Sequence, residues 1–157
     1  MKKKLFCIVA GALTLLGCGA QKMPEGDIIY LEYTESGTMR GYQYEGRVER
    51  DSTGAFVLTA MKENYGPLFQ KQIGKEEMKR LRQIVQEEKM YNYKEHYRPR
   101  LQVLDGYGWH FEAKFSEGDK IYSSGSNARP GGNGLGRIHA CLLQFIEDAD
   151  RVVESDD

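Results

Sequence analysis

The stretch from Asp105 to Leu135, DGYGWHFEAKFSEGDKIYSSGSNARPGGNGL, constrains the fold more than any other part of this chain. Trp109, Phe111, Ala113 and Phe115 alternate with His110, Glu112 and Lys114, the pattern of a strand with one apolar face and one wet face. Ser116-Glu117-Gly118-Asp119 then reverses the chain, because Gly118 can take the positive φ of a tight hairpin. A return strand runs from Lys120 to Gly125, and a glycine-rich loop leads into a last helix. The pattern speaks of fold and not of reaction.

The rest of the chain supplies partners for that hairpin. Asp27–Glu35 is rich in β-branched and aromatic residues and reads as a first strand, with a turn at Ser36-Gly37-Thr38. Arg40–Asp51 and Ala55–Lys62 read as two more strands, separated by the turn residues Asp51-Ser52-Thr53-Gly54, and Leu68–Ile73 as a further short one. Lys75–Met90 carries Met78, Leu81, Ile84, Val85 and Glu88 at helical spacing. Tyr91–Gln102 is irregular. The last helix runs from Gly134 or Leu135 to about Arg151, with Asn133 as N-cap and Leu135, Ile138, Cys141, Leu142, Phe145, Ile146 and Ala149 on its buried stripe. The order β-β-β-(β)-α-β-β-α, with short connections, predicts an α+β fold. An antiparallel sheet of five to six strands with two helices on one face buries both amphipathic stripes. The alternative is a half-open barrel closed by the helices.

At 157 residues the chain fits one domain, expected over residues 27–151. An acidic, frayed tail is expected at 152–157. The N-terminus is a separate object. Lys2, Lys3 and Lys4 precede an apolar run, Leu5–Leu16, that is shorter than the ~20 residues of a membrane span and reads as a secretory signal. Leu15-Leu16-Gly17-Cys18 resembles the lipobox of bacterial lipoproteins. The resemblance implies removal of residues 1–17 and a diacylglycerol thioether on Cys18. It also implies acylation of the new amino group, and so a stable hold on the lipid bilayer. Gly19, where an Asp would signal retention at the inner membrane, favours the outer membrane by the same resemblance. Residues 18–26 then form a lipidated cysteine and a polar tether. Gly19–Gly26 reaches at most ~27 Å, so the body sits close to the bilayer.

Loss of Lys2, Lys3 and Lys4 lowers Lys plus Arg from 22 to 19 against 23 Asp plus Glu, a mature net charge near −4. No basic excess argues for nucleic acid. Of the three cysteines, Cys7 leaves with the signal and Cys18 carries lipid. Cys141 therefore has no internal disulfide partner and is expected as a small buried hydrophobe.

No constellation of residues points to catalysis. Pro130–Gly136 is glycine-rich and precedes a helix, but it lacks a Lys-Ser or Lys-Thr ending and follows a hairpin, which argues against a nucleotide site. His96, His110 and His139 show no metal spacing such as H-x-x-x-H and read as surface or rim histidines; no metal and no cofactor are expected. No serine stands in a nucleophile elbow. The better candidate is a binding surface made of Tyr93, Tyr97, Arg98 and Arg100 with Asn127 and Arg129, since contact surfaces favour Tyr and Arg. The competing reading has these tyrosines roofing the core with their hydroxyls in water.

The pattern D-G-x-x-W at Asp105–Trp109, followed by Gly125-x-Asn127-x-x-Pro130, is similar to uncharacterised small secreted or lipoprotein domains of bacteria. It implies kinship of fold; within it Trp109 reads as a core residue and Asp105 and Asn127 read first as turn and cap residues. The expected function is a non-catalytic binding or accessory lipoprotein of the cell envelope, facing an envelope protein or glycan. The first alternative is an inhibitor or interaction protein for another envelope protein. The second is a hydrolase of an envelope polymer, which needs His96, His110 or an acid to meet Asn127 and Arg129 in one cleft.

Overall fold

A computed structural model of the chain describes residues 21–37, 42–64, 66–101 and 106–151. The signal segment, Cys18 and its lipobox, Asp105 and the acidic end at 152–157 lie outside the described residues.

The elements run β1 Ile28–Gly37, β2 Tyr42–Arg50, β3 Phe56–Met61, β4 Leu68–Ile73, α1 Lys75–Glu87, β5 His96–Tyr97, β6 Tyr107–Phe115, β7 Lys120–Ser126, α2 Gly134–Ile146 and β8 Asp150–Arg151. The class is α+β, as predicted. Among the described residues one sheet holds eight strands in the order β5-β7-β6-β1-β2-β3-β4-β8, rather than five to six. Six of them are long. The additions, β5 and β8, are two residues each and too short to show a period in the sequence. β5 lies inside Tyr91–Gln102, so that stretch is less irregular than the sequence implied. It pairs parallel to β7, His96 opposite Ser124 and Tyr97 opposite Gly125. β1 also runs on through Ser36 and Gly37, which the sequence placed in a turn.

The N-terminal strand β1 is central because it pairs antiparallel with both β2 and β6. Its register sets Leu31 beside Val48 and Ala113, and Tyr33 beside Gly46 and Phe111. All of these point to the face under the helices, since a period of two places alternate residues on one side. Met78, Leu81, Ile84 and Val85 of α1 and Leu135, Ile138, Cys141, Leu142, Phe145 and Ile146 of α2 complete the core. Cys141 is buried there, and burial pushes its thiol pKa up.

Asn133 occupies the N-cap position of α2, but its side chain makes no capping hydrogen bond. The carboxylate of Glu88 accepts from Asn133 N at 3.3 Å, and Arg137 ties Glu87 and Glu88 to α2 at 2.7 and 2.9 Å. Glu88 continues the helical spacing of Met78, Leu81, Ile84 and Val85 to the C-cap of α1 without joining their buried set. It instead joins the two helices, and its half-buried carboxylate is held below the usual range first by Arg137.

Candidate functional site

The far end of β1, around Glu35, is where most of the predicted surface residues gather. Trp109 is 4% exposed and lies in the core as expected, its indole N–H donating to the Ala128 carbonyl at 2.8 Å. A Cβ on Gly125 would stand 2.3 Å from that indole nitrogen and 2.5 Å from the Ala128 oxygen, so only glycine fits beneath the ring. Tyr97 packs on Trp109 at 5.8 Å between ring centroids, and Tyr93 meets Tyr97 edge-on at 6.3 Å. Both tyrosines are partly buried against the core. Burial pushes the Tyr93 phenol up to about 12, with Glu88 adding to the shift.

Asn127 and Arg129 are likewise engaged by other residues of the chain, Asn127 partly buried and Arg129 exposed. Asn127 takes a left-handed backbone at φ 52, and its side-chain oxygen accepts from Tyr107 N at 2.9 Å while its own N–H donates to the Tyr107 carbonyl at 2.9 Å. It thus closes the open end of the β6–β7 ladder. The Arg129 guanidinium pairs with Glu35 and lies 4.9 Å from the Tyr107 ring centre. Glu35 also accepts from the Tyr33 hydroxyl at 2.5 Å. Of the six predicted residues, Arg98, Arg100 and Arg129 are exposed, and Arg98 and Arg100 stand outside this cluster. The tyrosines therefore serve largely as a roof, the competing reading of the sequence.

His139 flanks the buried stripe of α2 with intermediate exposure, as a rim histidine does. It is half-buried on α2, 3.9 Å from Tyr44 and 5.9 Å from Tyr33 between ring centres. Burial first, and then Arg129, lower its pKa.

The side of the sheet away from the helices was not singled out by the sequence. Register builds two rows across it. Tyr122, Glu112, Glu32, Arg47 and Thr59 stand opposite one another on β7, β6, β1, β2 and β3; beside them run His96, Ser124, His110, Thr34 and Glu45. Tyr122 meets His110 at 5.0 Å and His96 at 6.2 Å between ring centres, and His96 Nδ1 lies 2.9 Å from Ser124 Oγ. Tyr30 donates to Glu32 at 3.0 Å, and Lys114 lies 4.3 Å from the Tyr30 ring centre. Burial, followed by the Glu32 hydrogen bond, pushes the Tyr30 phenol up to about 12. Glu32, His110 and Glu112 bring one potential ligand atom each within 4.8 Å of one another. The H-x-E spacing on a strand was the visible half of this signal. Glu32, 78 residues upstream of His110, joins it only through the β1–β6 register.

His96 and His110 stand on this open face, apart from Asn127 and Arg129, which bind the strand end and the carboxylate of Glu35.

At the near end of β1 the last tether residues lie on the body. Met23 packs against the core, and Arg82 donates to the carbonyls of Gly26 at 2.9 Å and Pro24 at 3.5 Å. A groove of about 350 Å³ runs beside them, lined among others by Pro24, Tyr91, Tyr93, Ile121 and Tyr122. No described helix is long and apolar enough to cross a membrane. No family model matches this chain, and no curated protein matches it.

Proposed function

We propose that this chain is a lipid-anchored accessory module of the bacterial envelope that offers the uncovered face of its sheet to an envelope protein or glycan and catalyses no reaction. The observation that carries the reading is the asymmetry of the sheet. Both helices lie on one side, and the other side displays Tyr30, Tyr122, Arg47, His96 and His110 around paired carboxylates. Aromatic rings and guanidinium groups on a fixed β surface combine contact area with hydrogen bonding at small entropic cost.

The anchoring half of the proposal rests on the lipobox resemblance at Cys18 and is supported by the tether. With Met23–Gly26 held on the body, little free chain separates a lipid at Cys18 from the near end of β1. Anchored in this way, the domain keeps its sheet within a few tens of ångströms of the bilayer surface.

Two measurements test the two halves separately. Palmitate labelling of the wild type against Cys18→Ala is expected to disappear in the variant; equal labelling ends the anchoring half. A photo-crosslinking residue in place of Thr34 or Tyr122, on the open face, is expected to give adducts in intact cells. The same residue in place of Gln83 on the outer side of α1 is expected to give none. Adducts from Gln83 alone would move the contact surface to the helices.

A further inference from the structure

We propose that Glu32, His110 and Glu112 form a zinc-binding site on the open face of the sheet, brought together by the register of β1 against β6. The inference deepens the binding-face reading and rests on it only for the occupant of the last coordination position.

Glu32 and Glu112 are paired directly across β1 and β6, an arrangement that puts two like charges face to face and by itself disfavours the sheet. His110 stands two residues before Glu112 on the same side, so an imidazole nitrogen joins the two carboxylates. The three side chains are only 22%, 26% and 17% exposed for Glu32, His110 and Glu112, so solvent does not fully answer the repulsion. Lys114 reaches Glu112 at 3.8 Å and answers one charge from the outer side.

The distance between Glu32 Oε2 and His110 Nε2 is 3.5 Å. That is long for a strong hydrogen bond between charged groups. It is close to the ~3.4 Å that separates two ligands of a tetrahedral ion with bonds of about 2.1 Å. Rotation of the Glu112 carboxylate within the 4.8 Å cluster supplies the third ligand.

The Tyr30 hydroxyl donates to the same Glu32 oxygen at 3.0 Å, the type of outer hydrogen bond that orients a ligating carboxylate. One imidazole and two carboxylates suit a divalent first-row ion, and zinc accepts this mixture at low coordination number. Three protein ligands leave a fourth position for water or for a donor atom of the partner. The ion would then be part of the contact surface.

The test uses the full chain in detergent, stripped with EDTA and titrated with zinc chloride, with bound metal measured by equilibrium dialysis. Wild type is expected to take up one saturable equivalent and to melt at a higher temperature with zinc than without. Glu32→Gln and Glu112→Gln keep the shape of the side chain and are expected to weaken uptake at least ~10-fold, and Tyr30→Phe by ~10- to 100-fold. Zinc-free melting temperatures no lower than that of wild type check that the variants are folded. The two Gln variants are expected at or above it, because they remove one of two opposed charges. His96→Ala, on the same face but outside the cluster, is expected to bind as wild type. The site is overturned if wild type shows no saturable uptake, if the two Gln variants bind like wild type, or if His96→Ala loses binding as fully as they do.

Discussion

On the side of the sheet under the helices, Leu31, Leu58 and Phe111 are wholly removed from water, and the buried indole nitrogen of Trp109 has a carbonyl partner. On the other side of the same three strands, Glu32, Thr59 and His110 remain partly wet among other polar and ring side chains. Packing accounts for the first set: each residue excludes water from a shared core, and size and shape decide what fits. It does not account for the second, where a pair of opposed carboxylates is retained at the middle of the sheet. The difference teaches where to look for function in such a fold. The covered face answers to stability, and the open face holds opposed carboxylates that stability alone does not ask for.

The comparison is broken most severely by removing a covered ring. Trp109→Ala is expected to lose ~3–5 kcal/mol in urea unfolding, because it empties a large core site and leaves the Ala128 carbonyl without its donor. Tyr122→Ala, on the open side of the neighbouring strand, is expected to lose less than about 1 kcal/mol. Near-equal losses would erase the distinction between the faces.

Adding atoms to the covered face is the next largest test. Gly125→Ala places a methyl against the Trp109 indole and the Ala128 carbonyl and is expected to lose ~1–3 kcal/mol by the same measurement. Gly118→Ala has open space around its Cβ, and its cost is confined to the positive φ of 92°, about 1 kcal/mol.

A smaller effect comes from pH. Burial against Tyr33 and Tyr44 lowers the His139 pKa, so the unfolded chain takes up the proton first as pH falls below the ordinary value of 6.5. More protons bound in the unfolded state mean that stability declines as pH drops through and below that value. Above it the ring is neutral in both states and the contribution is constant. His139→Gln is expected to flatten this segment of the profile of melting temperature against pH. An unchanged slope would place its origin in other groups.

The covered face was the legible one. Alternation in β6 and the 3.6-residue stripe of α2 are local patterns, so the hairpin, the start of the last helix and the burial of Trp109 and Cys141 could be read from neighbouring residues. The helix ends at Ile146 rather than near Arg151, because Asp150–Arg151 pairs with β4. The turn role of Asn127 could be read too, but its partner and that of Arg129 could not. Asn127 bonds to Tyr107 and Arg129 to Glu35, partners 20 and 94 residues away. Asn133 fills the N-cap position of α2 as read, but the bond from its N–H to Glu88 was hidden for the same reason, since that carboxylate comes from the end of α1. Glu32 and the H-x-E pair illustrate the limit most plainly. Each is an ordinary solvent-side residue until strand register sets them opposite one another.

The most direct test of the division between the faces is a triple variant of the open side, Arg47→Gln, Glu112→Gln and Tyr122→Ala. Its urea unfolding is measured together with crosslinking from a photoreactive residue at Thr34. The account predicts an unfolding free energy within about 1–2 kcal/mol of wild type, because no covered side chain is touched, and loss of the crosslinked adduct. Retention of the adduct at full yield, or a loss of stability as large as that of Trp109→Ala, would contradict it.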